Sequence, residues 1–185
     1  TFKFDYGMCS AANVDGVSRT GTITITFYGK PKIPGNYAVI KLLSLKINGA
    51  ITYSCDSIIV TTLTNTISTK SFNVKVVNGI CTGNGWNIKF RSDKTITIST
   101  NSTPALNDDV VTVTGTSGGT NRNNVDFDVV VNSLTKPANC KWITSGTLDI
   151  TPSGLSKRTV DYGSGNCDDD ATFTVNGQTI AFKLK

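Results

Sequence analysis

Apolar and polar residues alternate along most of the chain. In Gly21-Thr22-Ile23-Thr24-Ile25-Thr26-Phe27, the residues Ile23, Ile25 and Phe27 fall on one side and three threonines on the other. A period of two is that of a strand with one apolar and one wet face. The same alternation runs through Phe72/Val74/Val76, Ile96/Ile98, Val111/Val113, Val125/Phe127/Val129/Val131, Leu148/Ile150, Phe173/Val175 and Ile180/Phe182/Leu184. These stripes are the expected core.

Three Asn-Gly pairs, Asn48-Gly49, Asn78-Gly79 and Asn176-Gly177, separate or follow such runs. A two-residue type I′ turn needs positive φ at both central positions, so each pair predicts a hairpin between adjacent antiparallel strands. Stretches rich in Gly, Ser, Asn and Pro at 30–36, 101–108, 116–124 and 152–156 read as loops. The sum is about a dozen strands in an all-β, antiparallel, β-sandwich-like architecture. One β-rich unit, 1–185, is expected, and a division into subdomains 1–100 and 108–185 is the alternative, with its boundary at 101–107. Asp5-Tyr6-Gly7 before Cys9 resembles Asp161-Tyr162-Gly163 before Cys167, and residues 21–26 resemble residues 146–151. This predicts a duplicated supersecondary unit, or terminal segments lying side by side.

Composition strengthens the strand reading. The 185 residues include 28 Thr, 17 Asn, 17 Gly and 16 Ser against eight Ala, one Gln and no Glu, so good helix formers are scarce. There is also no His, which removes Ser-His and Cys-His nucleophile pairs and His-based metal sites. The net charge is 18 − 13 = +5. Its cations are dispersed, without a Lys/Arg run or an aromatic-flanked basic segment, so no nucleic-acid partner is expected. No apolar run approaches a transmembrane span, and the first residues lack the apolar region of a signal peptide, as in a mature exported form.

The five cysteines, Cys9, Cys55, Cys81, Cys140 and Cys167, show no CxxC spacing. Disulfides fit better than zinc. Nearness in sequence pairs Cys55 with Cys81 and Cys140 with Cys167, leaving Cys9 odd; free buried thiols are the plainer alternative.

Asp168, Asp169 and Asp170 in a Gly/Asn-rich loop are candidate oxygen ligands for Ca²⁺, although their spacing is not that of an EF-hand and solvated turn acids are commoner. No other cofactor is expected. Trp86, Trp142 and Tyr53 are candidate platforms for a glycan, with core packing the usual fate of tryptophan. Two Asp residues are chemically able to run glycoside hydrolysis, but nothing singles out a pair.

The stretches 140–150, 158–168 and 171–177, with Phe4-Asp5-Tyr6-Gly7, Cys9 and residues 19–23, resemble secreted or lipid-anchored β-rich surface proteins of Bacteroidota. The resemblance covers both ends well and the middle poorly. It implies export and an extracellular or cell-surface location, and it carries no catalytic residues over. The chain opens at Thr1 rather than at a lipid-modifiable cysteine, so no anchor is expected on it. The resulting expectation is a non-enzymatic structural or adhesive protein, a subunit of a surface fibre that joins itself or another surface protein by strand addition. The alternative is a carbohydrate-binding module assisted by Ca²⁺; a two-Asp hydrolase comes third.

Overall fold

The computed structural model describes residues 1–7, 16–100, 102 and 105–185. The expected all-β, antiparallel class is what it has: thirteen strands in one hydrogen-bonded sheet, and no helix among the described residues. They are β1 (Phe2–Asp5), β2 (Arg19–Tyr28), β3 (Tyr37–Ile47), β4 (Ile51–Ser54), β5 (Ser57–Asn65), β6 (Thr69–Gly83), β7 (Trp86–Ser99), β8 (Val110–Thr120), β9 (Asp126–Pro137), β10 (Ser145–Pro152), β11 (Arg158–Ser164), β12 (Asp170–Val175) and β13 (Gln178–Lys183). Chain order is sheet order. The short strands β4 and β5 lie end to end, sharing one position between β3 and β6. The 101–107 connection does not interrupt the sheet, because β7 and β8 pair from Ser99↔Val110 to Lys89↔Thr120.

Two of the three Asn-Gly pairs make the expected hairpins. Asn48 and Gly49 have φ of 51° and 65° between β3 and β4, and Asn176 and Gly177 have 51° and 75° between β12 and β13. The third expectation fails. Asn78 has φ 49°, but Asn78-Gly79 lies inside β6, where the register to β7 shifts between Val76 and Gly79. Glycine is required there for another reason: a Cβ on Gly79 would stand 2.5 Å from the Phe90 ring that lies over it.

Following the register through these shifts assigns every strand residue to a face. One row runs Phe27–Ala38–Val60–Val74–Lys94–Gly115–Val131–Leu148–Val160–Phe173–Ile180, from β2 to β13. Rows beside it are equally apolar, so the predicted stripes share one face. The opposite face carries the threonines, as in Thr24, Thr95, Thr114 and Thr172.

Burial is thin. No described side chain falls below 2% exposure, and only Ala38, Leu45, Val131, Cys140 and Ala171 form a buried apolar set. In β2, Ile23 and Ile25 on the apolar face are only half-buried, as are Thr22 and Thr24 on the polar face. Neighbouring strands therefore shield the apolar side chains, and no second layer of described chain does. The accessible surface, 11224 Å², exceeds the roughly 8,600 Å² usual for a compact monomer of this mass.

The sequence similarity between the two ends is a structural repeat. Gly21 and Gly146 both have φ 98°, and a Cβ on either would strike the carbonyl of Ser44 or Ser133, whose φ values are 52° and 50°. Asp5 and Asp161 each accept a hydrogen bond of 2.9 Å from the N–H two residues on. The unit β1-β2-β3 matches β11-β10-β9, with its strands in reversed chain order. The two ends therefore lie far apart in the sheet.

Candidate functional site

The predicted site residues gather in two places. The first is the apolar face near the β6–β7 hairpin. Tyr53 on β4 stands opposite Cys81 on β6, and Cys81 opposite Ile88 on β7; Gly83 and Trp86 form the next row. A Cβ on Gly83 would collide with the Trp86 indole, which is why this ring can lie flat on the sheet. The Arg122 guanidinium stands 5.9 Å from the Trp86 ring. Tyr53 and Trp86 thus share one half-buried surface, with β6 between them.

The pairing expected between Cys55 and Cys81 is corrected: both are free thiols. Tyr53, not Cys55, occupies the position across from Cys81. The hydrogen bond between this phenol and the Cys81 thiol raises the Tyr53 pKa above its ordinary value, and burial adds to the shift. Cys55 lies at the break between β4 and β5. Burial pushes its thiol pKa up, Asp56 adds to the rise, and the Leu42 backbone N–H on β3 partly offsets it. The two sulfurs are therefore engaged with different neighbours.

The second place is the far end of the sheet. Cys140 and Cys167 form the expected disulfide, with a Cα separation of 5.8 Å. The Trp142 N–H donates to Cys140 Sγ at 3.4 Å, and the Lys141 ammonium lies 4.1 Å from the Trp142 ring centre. Trp142 is thus separated from Tyr53 and Trp86 by several strands. Cys9 lies outside the described residues.

The three acidic residues adjoin this bridge. Lys183 Nζ sits 2.8 Å from Asp169 Oδ1 and 2.8 Å from Asp170 Oδ1, while Asp168 Oδ1 accepts a hydrogen bond from the Asp170 N–H at 3.0 Å. Lys183 holds the Asp169 carboxyl below the usual carboxylate range, and the two acids push the Lys183 pKa up. Any Ca²⁺ bound here would compete with that ammonium. Among the described residues no group of three or more His, Cys, Asp or Glu side chains is arranged to hold a metal.

The terminal strand-like runs Phe2/Phe4 and Ile180/Phe182, from which the sequence predicts strand addition, lie on the sheet's two outer edges. β1 pairs only with β2 and β13 only with β12, so each presents one unpaired backbone ladder. The large apolar side chains there are open to solvent, with Phe2 at 61% and Ile180 at 60% exposure.

Together these features define an open antiparallel β-meander with one apolar face and two free edges. Compared with known proteins, the chain matches no family model, no curated relative and no solved structure.

Proposed function

We propose that the chain is a non-enzymatic structural or adhesive protein of the cell surface or extracellular space, joined edge to edge into a fibre by strand addition. The observation that carries this reading is the open meander. The free ladders of β1 and β13 lie on opposite edges, so pairing β13 of one copy with β1 of the next continues the same sheet. A head-to-tail contact that does not close yields a filament. The disulfide suits an oxidising compartment.

Light scattering and electron microscopy at high concentration test the reading. Adjacent residues of an edge strand turn their N–H groups to opposite sides. Proline at one of Thr179 and Ile180 therefore caps the outer ladder and leaves the inner one to β12 intact. Filaments from the native chain, lost in that variant, support strand addition. A strictly monomeric native chain retires it.

Tyr53 and Trp86 on one surface favour carbohydrate binding as a second reading. Glycan-array binding that falls on Trp86→Ala would support it, and loss on chelation would assign Ca²⁺ a part at Asp168, Asp169 and Asp170.

A further inference from the structure

The sheet separates charge as sharply as it separates hydrophobicity. The chain's excess is 18 − 13 = +5. The register places five cations, Arg19, Lys70, Lys94, Lys136 and Arg158, on the apolar face. No carboxylate of a described strand shares that face. Strand aspartates occupy the threonine face, where Lys3–Asp5, Lys75–Asp93 and Arg91–Asp128 form ion pairs at 3.4, 4.0 and 2.7 Å. The excess charge of the protein therefore coincides with its uncovered apolar surface.

Such a face matches an apolar partner bearing negative charge. A second copy fits poorly, because stacking two of these faces would set five cations against five. Neighbouring strands turn by about 20–25° relative to one another, so roughly four can lie against a plane. The longest central strands, β6 to β9, present the best candidate. There the row Phe72–Ile96–Val113–Leu134 is flanked by Lys70 and Lys136 at the ends of the row before it and by Lys94 in the row after it. All four apolar residues are half-buried by their neighbours only.

We propose that this patch docks on an anionic lipid bilayer, its apolar row entering the interfacial region and its three ammonium groups meeting phosphate headgroups. A fluid surface adapts to a shallow, twisted sheet, and long lysines reach from an apolar surface to the headgroup level. This inference is independent of the edge-to-edge reading, since it uses a face and not an edge.

Flotation of the full chain with vesicles tests it, using equimolar phosphatidylglycerol and phosphatidylcholine against phosphatidylcholine alone. Binding to the anionic vesicles is expected, and it should weaken as salt rises. The triple variant Lys70→Gln/Lys94→Gln/Lys136→Gln should lose partitioning by about 100-fold, at roughly fivefold for each lysine. A control variant of equal charge, Lys41→Gln/Lys46→Gln/Lys89→Gln on the threonine face, should bind like the native chain; circular dichroism verifies that both variants fold. Equal loss in the two variants would show attraction by net charge alone and overturn the proposal. So would absence of binding to anionic vesicles, or a concentration-dependent dimer abolished by Ile96→Thr, which would assign the face to a second copy.

Discussion

Breaking the Cys140–Cys167 bridge should cost the protein much of its stability. The bridge spans 27 residues and encloses β10 and β11. Cross-linking a loop of that length removes about 12 cal/mol/K of entropy from the unfolded chain, or about 3.5 kcal/mol at 25 °C. Cys167→Ser is the cleaner perturbation, because Cys167 is exposed whereas Cys140 is 3% exposed and its thiol remains as an apolar filler. For a chain of this size the melting midpoint should fall by about 7–14 °C. Urea and thermal unfolding, followed by tryptophan fluorescence with and without reductant, provide the assay. Reductant should lower the native midpoint to that of the variant and leave the variant unmoved. A native midpoint indifferent to reductant would refute the reasoning.

Alkylation under denaturing, non-reducing conditions should modify Cys55 and Cys81 and spare Cys140 and Cys167, and in the folded protein Cys55 should react slowly at neutral pH because its thiolate is disfavoured. Gly115→Ala should destabilise by about 1–3 kcal/mol in a urea titration, since Gly115 has φ 127° and a Cβ there would meet the Asp93 carbonyl. The Thr159 hydroxyl, Lys157 and Asn132 hold the Asp149 carboxyl below its ordinary range. Its stabilisation is therefore complete above the ordinary carboxylate pKa and is lost as pH falls through the lowered value. Thr159→Val should move the Asp149 carboxyl titration upward in a carbon NMR experiment and shrink the acid-side loss of stability.

Strand identity was legible because alternation is local: the Ile23/Ile25/Phe27 and Phe173/Val175 stripes need no knowledge of their neighbours. Face identity was not. Register shifts beside Gly21, Asn78, Gly115 and Gly146 change which parity points to which side, so Val76 and Gly79 of β6, and Leu134 and Val131 of β9, share the apolar face although each pair is three residues apart. The Asn78-Gly79 pair misled because Gly79 answers to the Phe90 ring from the next strand rather than to a turn. Nearness in sequence found Cys140–Cys167, where a connection returns to the same end of the sheet. It failed for Cys55 and Cys81, where the strand register sets Tyr53 opposite Cys81. The recurring Asp-Tyr-Gly segment did announce a duplication, and its reversed order is readable in the chain, but only the sheet order reveals that the two units lie far apart.

The sequential meander also fixes how the molecule would respond to pulling. Because β1 and β13 occupy opposite edges, tension between them acts across the strands and peels ladders apart one after another, in place of shearing many hydrogen bonds together. The sheet would yield as a series of modest steps, a spring that lengthens under small forces and recoils by local pairing. Its disulfide is a built-in stop: the 27 residues it spans withhold about 90 Å of extension until the bridge is reduced.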